Sequence, residues 1–147
     1  PATGREWEHV GVTPDIEVPG DSALRVAHVD AVRRMANRAD GVRRAELTAI
    51  RDELTAKDAA QTVPVATLRQ YAGNYGGGGI VAERNGRLRY AARPALPWVN
   101  LVHLSNAEFV AAGTRYIFDM DNGVPRLLLA EPGREPVAYV RLRTEQR

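Results

Sequence analysis

Apolar positions change their spacing twice along the chain, and the changes divide it into three zones. From about Arg5 to Val18 the segment reads as extended, with Val10, Val12, Ile16 and Val18 in strand-like positions. Thr13-Pro14-Asp15 interrupts it, because proline cannot donate to a central ladder, and Pro19-Gly20 closes it. The second zone has helical spacing. Leu24, Ala27, His28, Ala31, Val32 and Met35 recur at steps of three and four and predict one apolar stripe, with Asp21 or Ser22 as N-cap. The stripe fades near Asn37, and Asp40-Gly41 is the expected stop. A second helix follows, with Leu47, Ile50 and Leu54 inward and Arg51, Asp52, Glu53 and Lys57 outward. Two short helices bury little by themselves, so this zone must pack on something else.

After Thr62-Val63-Pro64 the pattern is that of strands, entered through a short helical turn at Val65 to Tyr71. Asn85-Gly86, between Ile80–Arg84 and Arg87–Arg93, is a strong two-residue hairpin signal and predicts Val81 opposite Tyr90. Further strands are expected at Trp98–Leu104, Glu108–Ala112, Arg115–Met120, Arg126–Ala130 and Val137–Leu142, with turns at Asn122-Gly123 and Pro132-Gly133. Tyr90, Leu101, Phe118 and Tyr139 are expected to point inward. Successive hairpins with no helix between them predict an antiparallel meander, rolled into a small barrel. The fold class is therefore α+β, divided at 1–62 and 63–147.

Composition narrows the possible functions. The 147 residues are 44% apolar, enough for a folded core, and no apolar run approaches the length of a bilayer span, so no membrane insertion is expected. The absence of cysteine excludes disulfides and thiolate chemistry. Basic and acidic residues are mixed along the length with a formal charge of +2, and the short Arg33-Arg34 and Arg43-Arg44 pairs fall on helices. Solvated faces explain them, and no nucleic-acid partner is expected. Pro1-Ala2-Thr3-Gly4 carries neither an initiating Met nor a basic and apolar leader, so the chain reads as a piece of a larger product.

Few side chains suggest chemistry. Ser22 and Ser105 are the only serines and neither lies in a glycine-rich elbow; Ser22 reads as a cap and Ser105 as a turn residue. Lys57, the only lysine, sits on an outer helical face, where a lowered pKa is not expected. His9, His28 and His103 fall in three different elements, so no metal site is expected. Asp119-Met120-Asp121-Asn122-Gly123 fails the calcium-loop spacing and reads as a turn. Gly76-Gly77-Gly78-Gly79 lacks a following Lys-Ser/Thr and a helix, so it is a flexible connection between strands and not a phosphate loop. Trp98, Tyr90, Tyr116, Phe118 and Tyr139 could line a ligand cavity or fill a core; the 6% aromatic content favours the filled core. No cofactor is expected.

Glu6-Trp7-Glu8-His9-Val10-Gly11-Val12-Thr13-Pro14-Asp15-Ile16-Glu17-Val18 resembles the last strand region of the tail-specific (C-terminal processing) serine proteases. The similarity is closer to the branch of interphotoreceptor retinoid-binding protein and the tricorn core, where such a phrase is followed by a helix, as Ser22 to Arg38 would be here; with that helix the match covers about a quarter of the chain. Leu68-Arg69-Gln70-Tyr71-Ala72-Gly73-Asn74-Tyr75-Gly76 resembles the opening of a β domain appended to such peptidases, and Asn85-Gly86-Arg87-Leu88-Arg89-Tyr90 its next hairpin. Leu101 to Phe109 is similar to the third element, with His103 where proline is common.

The resemblance implies that residues 1–62 are the C-terminal strand and helices of a protease domain, and 63–147 an appended, lipocalin-like β domain. It implies acyl transfer by a serine whose base, Lys or His, stands with it upstream, so this chain alone is expected to be inactive. Glu8 aligns with the carboxylate that orients the serine in the tetrad branch; the other reading is an exposed strand-end acid. The implied partners are the upstream protease domain of the same parent protein and a peptide or protein substrate, and the implied location is exported. The alternative function is a lipocalin-like binding module for an apolar ligand or peptide.

Overall fold

A computed structural model of the chain describes residues 15–57 and 63–143. Glu8, with the rest of the protease-like phrase up to Pro14, lies outside the described residues. Within that phrase Asp15 to Val18 form a bend and an irregular stretch and no strand, and Ile16 is exposed.

Helix α1 (Gly20–Arg38) and helix α2 (Gly41–Ala56) form a hairpin that turns at Gly41, where φ is +46°. The expected side-chain cap is not made. Pro19 occupies the N-cap position of α1, and the Ser22 hydroxyl instead donates to Asp21 Oδ1 at 3.0 Å. The buried side of α1 is also rotated from the predicted stripe. Val32 and Ala36 pack with Leu47 of α2, whereas Leu24 is 84% and Met35 48% exposed. A helix with apolar residues around most of its circumference offers more than one stripe, and only the partner helix selects among them. Ala39, Ile50 and Leu54 complete this small cluster.

The third helix, α3 (Val65–Tyr71), leads into two antiparallel sheets with nine strands among the described residues. The first sheet has the order β1 (Gly73–Asn74), β2 (Ile80–Arg84), β3 (Arg87–Ala91), β4 (Val99–Asn100). The second runs β5 (Val102–Ser105), β6 (Glu108–Ala111), β7 (Thr114–Asp121), β8 (Val124–Ala130), β9 (Val137–Val140). Both are meanders in chain order, and among the described residues the ladders do not close into one barrel. The predicted Val81–Tyr90 pairing is present. The Asn85-Gly86 and Asn122-Gly123 turns have positive φ at both residues, as a right-twisted hairpin requires. Ala112-Gly113 does the same between β6 and β7, at the break between the strands expected at Glu108–Ala112 and Arg115–Met120.

The single strand expected at Trp98–Leu104 is two. At Leu101 the chain leaves the first sheet for the second; Leu101 is buried and its N–H bonds Leu88 O at 2.9 Å. The two sheets meet again where Leu142 N–H donates to Asn74 O at 2.7 Å.

One core cluster lies between the sheets and under α3. It joins Leu68 of α3, Val81 and Leu88 of the first sheet, and Phe109, Tyr116, Phe118 and Leu127 of the second. Phe118 stacks on Tyr71 with centroids 4.6 Å apart and meets Phe109 edge-on at 5.7 Å. Tyr75 is fully buried and its hydroxyl donates to Tyr71 O at 2.7 Å, which supplies the partner a buried phenol needs. Leu101 joins this core fully, while Tyr90 and Tyr139 pack at its margin. Trp98, half-buried, is outside it.

Helix α2 packs against β5 and β6, which fastens the helical hairpin to the second sheet. Asp52, expected outward, faces that sheet. Its Oδ2 accepts from Arg115 Nη2 at 2.6 Å, and Arg115 also pairs with Glu108 of β6. The pattern of α2 alone could not show this, because an acid next to an apolar stripe looks the same whether water or an arginine lies beyond it.

Candidate functional site

The residue types that begin hydrolytic or metal chemistry are spread through the fold. Ser22 lies on α1 beside Asp21, and Ser105 ends β5 at an irregularity in the ladder. Lys57, in the turn that ends α2, is paired with Glu53 Oε1 at 2.8 Å. His103 is two residues from Ser105, but its Nε2 is 3.0 Å from Asn106 O and its ring lies 5.1 Å from that of Phe109. His28 is exposed on α1. No cluster of three or more metal-binding side chains occurs among the described residues. Asp119 does not offer its carboxylate to a cation: Arg126, its cross-strand partner, donates to both oxygens at 2.9 and 2.6 Å and holds its pKa below the usual value. A bidentate arginine fills the acceptor sites that a calcium ion would use.

What the fold does bring together is a margin of phenols and glycines at the junction of the sheets. Tyr75 N–H bonds Gly79 O at 2.9 Å and Gly78 N–H bonds Tyr75 O at 3.0 Å, folding the four glycines into a tight turn. The run joins β1 to β2, the connection between strands that was expected, and these bonds hold its backbone in a defined turn. Gly78 is buried against the Tyr139 ring, where a Cβ would collide with the ring carbons. Gly79, with φ +94°, has no room for one between the Tyr90 ring, 2.6 Å away, and Ala91 O at 2.7 Å. The glycines therefore let the turn lie flat on two tyrosines, a requirement that shows only when β3 and β9 are in place.

Tyr90 and Tyr116 lie with ring centroids 4.8 Å apart. Burial raises the pKa of both phenols, and the Glu131 carboxylate adds to the effect. Tyr75 is pushed up to about 12, also by burial. Neutral phenols of this kind donate hydrogen bonds and do not act as nucleophiles near neutral pH.

Surface clefts surround this core. One of about 450 Å³ lies between Ala72-Gly73, the Gly123–Pro125 turn and Arg141–Arg143; the Arg141 guanidinium there donates to Gln70 O at 2.9 Å and Ala72 O at 3.3 Å. Another of about 480 Å³ runs along α1, lined by Ile16, Val18, Ala23, Val26, Ala27 and Ala31 with Asp30 and Arg34 at its edge. No helix among the described residues is long and apolar enough to cross a membrane. No protein-family model, curated protein or solved structure matches the chain.

Proposed function

We propose that this chain is the C-terminal accessory region of a tail-specific serine peptidase, with hydrolysis carried out by residues of an upstream protease domain in the same parent protein. The observation that carries the reading is the outer side of α1. Leu24, Met35 and Ile16 are exposed, and an apolar groove runs beside them, a surface better matched to a protein neighbour than to water. The protease-like phrase leads directly into that helix, so the neighbour would be the domain the phrase completes. Glu8 would orient the catalytic serine of that domain. The β unit would stand beside the active site to position or shield a peptide or protein substrate, and the parent would be exported. We also read the two sheets as halves of a lipocalin-like barrel, on the strength of the strand crossing at Leu101 and the Leu142–Asn74 hydrogen bond. The aromatic packing between the sheets favours an accessory role over an apolar-ligand pocket.

The test compares the full natural gene product with this chain. The full product should cleave denatured protein and react with a serine-directed fluorophosphonate at a residue upstream; the chain alone should do neither. A full product that neither cleaves nor labels would overturn the reading. Cleavage by the isolated chain that disappears in Ser22→Ala or Ser105→Ala would overturn it equally.

A further inference from the structure

The Asn85-Gly86 turn sets Arg84 directly opposite Arg87, and the same ladder sets Ala82 opposite Arg89. Side chains alternate between faces along a strand, so Arg84, Arg87 and Arg89 share one face of the first sheet. Val81 and Leu88 point the other way, into the core. The other positions on the arginine face are Ile80, Ala82 and Ala91, with Asn74 of β1 and Asn100 of β4; none is acidic. Glu83 is on the opposite face with both oxygens engaged, Oε2 by Arg69 at 3.3 Å and Oε1 by the Gly86 N–H at 2.8 Å. Arg84 acts on it through space only. None of the three arginines forms an ion pair among the described residues.

Two features of this face oppose stability. Like charges directly across a ladder, with Cβ atoms about 5 Å apart, repel. Arg89 Nε is buried without a hydrogen-bond partner, which leaves a donor unsatisfied. A supplied set of carboxylates would relieve the repulsion.

We propose that the arginine face of the β2–β3 hairpin is a docking surface for an acidic peptide segment. Its spacing selects this partner. Arg87 and Arg89 are two residues apart on one strand, about 7 Å, the same interval at which an extended peptide presents alternate side chains. Carboxylates at positions i and i+2 can therefore meet both guanidinium forks, and Arg84 lies beside the first. A nucleic acid needs a longer basic track, and the chain offers no general positive field, with 20 basic residues against 18 acidic. This surface is separate from α1, and the proposal does not depend on the peptidase reading.

The test is a titration of the full chain, at low salt, with an extended glutamate-rich hexapeptide, followed through the arginine Nε–H signals by NMR. A glutamine-substituted hexapeptide and a single-stranded oligonucleotide of equal charge serve as comparisons. Saturable shifts at Arg84, Arg87 and Arg89 are expected with the glutamate peptide, none with the glutamine peptide, and at least fivefold weaker binding of the oligonucleotide. Arg87→Gln should weaken peptide binding at least tenfold while leaving the urea midpoint unchanged or raised, because it removes a repulsion. If that variant does not fold, the arginines are structural and the proposal fails; Arg84→Gln then confirms the failure if its midpoint also falls. Absence of saturation, or an oligonucleotide that binds as tightly as the peptide, overturns the proposal too.

Discussion

Truncation of Phe118 probes where the stability of this chain resides. The ring is 3% exposed and touches Tyr71, Phe109 and Tyr75, with centroids 4.6, 5.7 and 6.0 Å away. Phe118→Ala removes a buried ring and leaves a cavity whose walls come from both sheets and α3 and cannot all collapse into it. The expected loss is about 3–5 kcal/mol. For a small domain the denaturant slope in urea is about 2 kcal/mol per M, so a loss of ~4 kcal/mol lowers the midpoint by about 2 M. Leu24→Ala is the comparison. At 84% exposure that side chain has little burial to lose, and its change should fall within about 0.5 kcal/mol. Both variants are measured by urea denaturation with far-UV circular dichroism and tyrosine fluorescence, and the slopes should match the parent. If Leu24→Ala proves the more damaging, α1 contributes to the main core by a route other than the packing described, and the placement of the core between the sheets is wrong. A changed slope for Phe118→Ala with an unmoved midpoint would also contradict it.

Three further outcomes are expected. Gly78→Ala should destabilise by roughly 1–3 kcal/mol through overpacking against Tyr139, and a double-mutant cycle with Tyr139→Ala should recover part of the loss; simple additivity would refute the contact. Tyr75 titrates near 12 in the folded chain and near 10 when unfolded, so its contribution is fully present below pH 10 and is lost as pH rises to about 12. The urea midpoint should therefore fall across that window, and a Tyr75→Phe variant should show a shallower fall. Asp52→Asn should weaken the seat of α2 on the second sheet by about 1 kcal/mol, since Arg115 keeps Glu108 as a partner. Hydrogen exchange should then quicken in α2 while β7 and β8 remain protected; unchanged exchange in α2 would show that the pair contributes nothing to docking.

Local rules carried much of the strand region. Asn85-Gly86 and Asn122-Gly123 declare their turns because both central residues need positive φ, and the first of them sets the Val81–Tyr90 register without reference to the rest of the chain. Phe118 was recognisable as a core residue from strict alternation. The arginine face is also implicit in the hairpin, since Arg84, Arg87 and Arg89 share a face once the turn is known. It passed unnoticed because charges two residues apart in a strand look scattered in a linear reading.

Other features depended on distant partners. The run from Trp98 to Leu104 has one continuous strand pattern, yet it serves two sheets, because the burial of Leu101 against Leu88 and the core decides where the chain crosses. The apolar stripe of α1 was misplaced because alanine and valine are spread around the helix, and only α2 determines which side is covered. The need for glycine in the Gly76–Gly79 run was hidden for the same reason: Tyr90 and Tyr139, which forbid a side chain there, arrive from strands 11 and 60 residues further on. Helical and strand periodicity and turn chemistry act over a few residues and can be read along a chain. The choice of which apolar face is buried, and which charge meets another, is an energy difference between packed arrangements, and it exists only once the elements have met.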